Sequence, residues 1–326
     1  MVTAKRSWFV FMSTTNWHDY NIANNVLRTM HTKMDADMSV YVLWFGLKSK
    51  SSTVPLLLLR AGSVQVLQVY NYLSFDDIIS ITRHSVSIVV KEQGGVPVDA
   101  ILGYYHAAGF VCGGQWKRTK HHFMRVTDFC SIIVEPLGSP LVVFDACYMG
   151  NMTCLYEMPS CVQYVVASPG FHPYASLLSI RAFFNLPVLH KVSKLRLNTI
   201  LRDYSASLCQ DWMNLAWKRA KYSCLLAFDM RAIAPLANEL GRSWHLLEFG
   251  EHSRIDKEDS NLSDLYNAAI HAPHIRKLID ATYLHLPYTR KCIKVNGPSV
   301  ERRMPKKWQE EYRATKIWKH VLQNHW

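Results

Sequence analysis

The chain has 326 residues, of which 49% are hydrophobic and 19% charged, with a formal net charge of +12. Such a length and apolar fraction can bury a core, so a disordered chain is excluded and one large or two modest domains are allowed. The apolar runs, such as VPLLLL at 54–59, are strand-sized and too short to cross a bilayer as a helix, so a protein without a membrane span is expected.

SWFVFMSTTN (7–16) is predicted as a first strand. Lys5 and Arg6 before it imitate the start of a secretory signal, but Ser13, Thr14 and Thr15 cut the apolar run short. IANNVLRTM (22–30) has helical spacing, with Ile22, Val26, Leu27 and Met30 on one face. MSVYVLWFGLK (38–48) and VPLLLLRAGSVQVLQVYNYL (54–73) are rich in β-branched and aromatic residues, the second with a hairpin about Ala61 to Ser63. Residues 75–95 read as a helix with acids in its first turn and glycines after its last, and PVDAILGYY as a strand. VCGGQWKRTKHHFMR (111–125) is basic and aperiodic, hence a surface loop, and VTDFCSIIVEPLG supplies a short helix. LVVFDAC is an almost unbroken apolar run, the pattern of a parallel strand covered on both faces.

MTCLYEM (152–158) then reads as helix and CVQYVVASPG (161–170) as strand. Residues 192–223 suggest a long amphipathic helix or a pair, and 222–244 a last strand and helix. Strands alternating with helices argue for a parallel sheet with helices on both faces. EHSRIDKEDSNLSD (251–264) is polar enough to be a linker.

The eight cysteines, at 112, 130, 147, 154, 161, 209, 224 and 292, form no CxxC pair that would cage zinc. No cofactor or metal is expected, with a calcium requirement left open. Several of these cysteines sit in apolar periodic segments, where a thiol behaves as a small hydrophobe. An intracellular, cytoplasmic setting is therefore expected. From Arg290 to Trp326 there are ten Lys or Arg against three Glu, a local balance of +7. The first reading of this stretch is a solvated basic helix whose aromatics pack on the core. With Trp308, Tyr312 and Trp318 interleaved it could instead bind nucleic acid or an acidic surface, or serve as a nuclear import signal.

Two strands end in residues with chemistry to offer. AILGYYHAAG (100–109) leads to His106, and LVVFDACYMG (141–150) leads to Cys147. Ligands of open parallel sheets bind outside the carboxyl ends of the strands, where both residues fall. A thiol works as a nucleophile only as thiolate, favoured by a nearby histidine or a helix N-terminus, and Cys147 is expected at a strand-to-helix turn with N–H groups pointing outward. Side chains alternate along a strand, which puts Asp145 on the face of Cys147. Cys154, Cys161, His121, His122 and His172 are read as packing or surface residues.

GYYHAAG, then VVFDACYMGNM, then YVVASPG, resemble in that order the clostripain-like family of caspase-fold, clan CD cysteine peptidases. LLAFDMRAIAPLANEL is similar to a further strand-helix unit of that family, so the likeness runs over roughly residues 5–250. The resemblance implies an α/β fold, a caspase-like α/β/α sandwich with a mainly parallel central sheet over residues 1–250, followed by a basic, mostly helical C-terminal extension over 251–326. It implies a cysteine endopeptidase in which Cys147 attacks the scissile carbonyl, His106 protonates the leaving amine and the backbone N–H groups of Cys147 and Ala107 hold the oxyanion. It further implies an S1 pocket of Asp145, Ser168 and Gly170 that selects Arg or Lys in a protein or peptide substrate. The basic loop 111–125, with Lys117, Arg118, Lys120 and Arg125, offers such residues for self-cleavage. The family carries glycine where this chain has Ala107. Two other readings stand beside the peptidase: an inactive caspase-fold binding scaffold, and a nucleic-acid-associated protein acting through its tail.

Overall fold

The structure, a computed structural model, describes residues 6–14, 21–46, 53–71, 75–105, 111–112, 124–170, 195–203, 225–255, 262–284, 297–303 and 309–325, a few single positions excepted. Its centre is an eight-stranded sheet. The strands are β1 (Arg6–Thr14), β2 (Met38–Gly46), β3 (Thr53–Arg60), β4 (Ser63–Asn71), β5 (Ala100–Tyr104), β8 (Leu141–Asp145), β9 (Tyr164–Ala167) and β10 (Leu226–Asp229). The remaining short strands are β6 (Val111–Cys112), β7 (Met124–Arg125), β11 (Leu262–Asp264) and β12 (Ser299–Glu301). The order across the sheet is β10-β9-β8-β5-β1-β2-β3-β4.

β2, β1, β5, β8 and β9 run parallel to one another. They are the runs with almost no polar interruption, and alternate residues enter two separate cores, as strands covered on both faces require. Phe9, Phe11, Leu43, Ile101, Phe144 and Val165 face one layer. Trp8, Val10, Val42, Leu102, Val143 and Val166 face the other. The first layer is closed by α1 (Phe75–Glu92), α2 (Val126–Phe129, continuing through a π-helical Cys130–Val134 into Glu135–Leu137), α3 (Met152–Glu157) and α4 (Ile233–Ser243). Ala23, Leu27, Leu197 and Leu201 cover the second. The result is the expected α/β/α sandwich.

The sheet departs from parallel at both edges. β3 and β4 form the expected hairpin, turning at Ala61 and Gly62, where φ of +72° suits glycine. β10 pairs antiparallel with β9. The long connection from β9 to β10 lets the chain enter that edge from either end, so alternation of elements alone does not set its direction.

The described ends of the stretch 251–264, residues 251–255 and 262–264, are packed into the fold and do not behave as a linker. Ile255 is buried, Arg254 bridges to Ser263, and Leu262–Asp264 pairs antiparallel with β12 as a buried strand. After it come α5 (Pro273–Ala281), α6 (Gln309–Arg313) and a π-helical turn at Trp318–Leu322. Ile275, Ile279, Val300, Tyr312, Ile317, Val321 and Leu322 join the same buried cluster as β8 and α3. The described part of the basic segment is thus built into the first layer. Tyr312 is fully buried and Trp318 packs on the core, so neither ring is presented to stack on a base.

Candidate active site

β5 and β8 lie side by side in the sheet, paired from Ile101 with Val142 to Tyr104 with Asp145. Beneath their carboxyl ends sits an aromatic floor. The Tyr105 ring meets Phe11, Phe129 and Phe144 edge-on at centroid distances of 5.9, 6.0 and 6.3 Å. Gly103 makes room for it, since a Cβ there would stand 2.7 Å from the Tyr105 ring. Packing of this kind fixes the strand end on which the next residue is carried. That residue, His106, lies outside the described residues, as do Ala107, Lys117, Arg118, Lys120, His121, His122, His172 and Trp308.

Asp145 closes β8 with only 4% of its surface exposed, while Cys147, two residues on, is partly exposed. Between them the strand gives way to a turn. Tyr148 takes φ of +61°, the sole non-glycine residue with positive φ among those described. A left-handed tyrosine is costly and persists where its surroundings hold it. Here the turn is held by the segment after β9: Tyr148 N–H donates to the Gly170 carbonyl at 2.7 Å and Gly150 N–H to the Ser168 carbonyl at 2.8 Å. The Ser168 hydroxyl accepts from Gly170 N–H at 3.3 Å. A Cβ on Gly150 would lie 2.6 Å from Pro169 N and 2.9 Å from Ser168 C, so only glycine permits this approach. Asp145, Cys147, Ser168 and Gly170 are therefore brought to one corner of the sheet.

α3 begins at Met152, five residues past Cys147, and its first donors are capped by Asn151, whose Oδ1 accepts from Thr153 N–H at 2.7 Å. Cys147 thus lies in the expected strand-to-helix turn, with the Thr153 N–H already capped by Asn151.

Behind the turn lies a second polar cluster. Glu301, 1% exposed, accepts from Asn151 Nδ2 at 3.0 Å, Thr153 Oγ1 at 2.9 Å and Tyr312 Oη at 3.2 Å. Burial pushes its carboxyl up to about 7 despite those hydrogen bonds, because a charge is disfavoured away from water. Nearby Glu157 is also raised by burial, opposed by the Lys316 backbone N–H that donates to it. Burial likewise raises the Cys161 thiol, and Cys154 is fully buried, as packing residues are. Among the described residues no group of three His, Cys, Asp or Glu side chains is placed to hold a metal ion. No described helix is long and apolar enough to cross a membrane.

Sequence reasoning missed Tyr148, Asn151 and Glu301, whereas the buried Tyr312 fits the first reading of the basic stretch, aromatics packed on the core. An asparagine just ahead of an apolar helix is a capping signal that could have found Asn151. Nothing local marks Glu301, which sits in a run of basic residues.

Residues 117–176 match the model of the clostripain family, a segment that includes Asp145, Cys147, Ser168 and Gly170. No curated protein sequence matches the chain. Among solved structures, a secreted C11 cysteine protease of Bacteroides thetaiotaomicron with an irreversible peptide inhibitor is 15% identical, with 97% of this chain and 99% of that one covered and a TM-score of 0.67. "Iotapain", a secreted C11 protease of the same species, is 13% identical over 98% and 99%, again at 0.67. An inactive zymogen C11 protease of Parabacteroides distasonis is 12% identical over 98% and 99%, at 0.59. The match to the clostripain family is thus confined to residues 117–176. The fold of the chain is like that of these C11 cysteine proteases, an α/β/α sandwich with the mainly parallel sheet the sequence led one to expect. The Bacteroides proteases are secreted ones, which lends nothing to an intracellular, cytoplasmic setting.

Proposed function

We propose that the chain is a cysteine endopeptidase with a Cys147–His106 dyad that cleaves after Arg or Lys. One observation carries this reading. Every pair of the β5–β8 ladder is offset by 41, as in Tyr104 with Asp145, and 41 is also the interval from His106 to Cys147. The shared interval supports reading the two residues as neighbours at adjacent strand ends, since neighbouring strands lie about 4.8 Å apart. His106 takes the thiol proton and returns it to the departing amine, and water clears the thioester. The mechanism needs no cofactor. The Cys147 and Ala107 N–H groups serve the oxyanion, and loss of one such donor costs about 10² to 10³ in rate.

Asp145 supports the Arg or Lys preference. A carboxylate this secluded, next to the nucleophile turn and walled by Ser168 and Gly170, rewards a cationic side chain over a neutral one. The test is hydrolysis of fluorogenic peptides ending in Arg, Lys, Asp or Leu. Cys147→Ala and His106→Ala are each expected to lose activity at least a hundredfold, and Asp145→Asn to lose the Arg and Lys substrates selectively. Hydrolysis by Cys147→Ala equal to wild type removes the thiol mechanism.

An inactive scaffold is the second reading, favoured by Ala107 in place of glycine. It predicts no turnover of any peptide and no labelling of Cys147 by an arginyl acyloxymethyl ketone.

A further inference from the structure

Past Asp145 the chain turns at Cys147, and described contacts grip that turn on two sides. The Ser168–Gly170 segment grips one side. β12 grips the other: Ser299 N–H donates to the Gly150 carbonyl at 3.1 Å, and Asn151 forms a parallel bridge with Ser299. Two residues further along β12 is Glu301, whose carboxyl takes the Asn151 amide and the Thr153 hydroxyl from the start of α3, with Tyr312 closing from behind.

Asn151 is used at both ends, its oxygen on Thr153 N–H and its nitrogen on Glu301. An amide committed at both ends has one orientation left. Each oxygen of Glu301 is likewise engaged, by neutral groups only among the described residues. A helix cap needs none of this, since Asn151 Oδ1 alone satisfies Thr153 N–H. What the carboxyl adds is a tie between β12 and the point where the nucleophile turn ends.

We propose that Glu301 is a positioning residue for the nucleophile, acting through Asn151, Thr153 and the β12 contact to Gly150 to fix where Cys147 sits. The proposal rests on the reading of Cys147 as the nucleophile. It gives the C-terminal segment a part in the site that neither its charge nor its composition announces. A turn displaced by about 1 Å is enough to cost 10²-fold in a positioned reaction.

The test compares Glu301→Gln and Glu301→Leu with wild type in the full chain. Gln keeps an acceptor for Asn151 and offers its NH₂ to the Thr153 and Tyr312 hydroxyls, whereas Leu fills the space and serves none of them. Two readouts are taken at a temperature where all are folded: the rate at which iodoacetamide alkylates Cys147, followed by peptide mass, and kcat and KM on an arginyl peptide. Leu is expected to lower the alkylation rate and kcat at least tenfold with KM within threefold, and Gln to keep both rates within threefold of wild type. Rates within threefold for Leu, or a fall for Gln as deep as for Leu, overturn the proposal. Should Leu not fold, Thr153→Val takes its place, with a loss of kcat of threefold or more expected and no loss overturning. If wild type is alkylated at Cys147 yet cleaves no peptide, the peptidase reading fails while the alkylation comparison still decides the role of Glu301.

Discussion

Tyr148, at φ of +61° and fully packed, is where the chain stores strain beside the candidate nucleophile. A left-handed residue with a Cβ costs roughly 1–2 kcal/mol, and two backbone hydrogen bonds to the Ser168–Gly170 segment oppose that cost. Gly150 makes the arrangement possible, because its bare Cα admits the Pro169 backbone. Gly150→Ala is therefore expected to push that segment away, with a loss of about 1–3 kcal/mol in stability by chemical denaturation and at least a tenfold loss in turnover. Normal turnover in the alanine variant would mean that the two segments do not act as one. At this scale the sequence was legible where a residue ends an apolar strand. Asp145 and Cys147 stand out because polar groups there follow a long hydrophobic run. Glu301 does not, because the run ERRMPKK (301–307) carries the charge pattern of a solvated face, and only the fold reveals that its first residue turns inward.

The central strands could be read from the chain because each is buried on both faces and so carries few polar positions, those near its ends. β1 from Arg6 to Thr14 is buried throughout. β11 and β12, three residues each, carry Ser263, Asp264, Ser299 and Glu301 and have no such signature. Their existence depends on partners distant in the chain, which periodicity does not encode. The short pair β6–β7 joins Val111 with Arg125 and Cys112 with Met124 across the ends of the basic loop. If the peptidase cuts itself within 113–123, the pieces are held by the β5–β8 ladder and the aromatic floor as well as by this pair. The expected outcome is two bands on a denaturing gel and one species of unchanged mass by light scattering under native conditions. A stable wild-type chain under conditions that cleave arginyl peptides would dispose of self-processing.

At the scale of the whole molecule, the basic C-terminal segment and the sheet share one core, so cutting the chain after residue 290 removes buried Val300, Tyr312, Ile317, Val321 and Leu322. Such a truncation is expected to lose cooperative unfolding rather than leave a trimmed peptidase, as calorimetry would reveal. The same junction sets the pH response. Glu301 ordinarily titrates at 4.5 and is raised to about 7 in the folded chain, with burial as the cause. As pH climbs past 4.5 the unfolded chain gives up this proton first, so the carboxyl's contribution is whole below that value, fades up to about 7 and stays lost above. At roughly 1.4 kcal/mol per pKa unit the full effect is of the order of 3 kcal/mol. Glu157, also raised by burial, acts in the same direction. Other groups titrate as well, but they cancel when wild type is compared with Glu301→Gln, which carries no proton to lose. Urea midpoints at pH 5.5 and 8.5 are therefore expected to show the Gln variant gaining on wild type by about 2 kcal/mol between the two conditions. A constant gap would mean that Glu301 keeps its ordinary acidity, and that its three hydrogen-bond donors outweigh its seclusion from water.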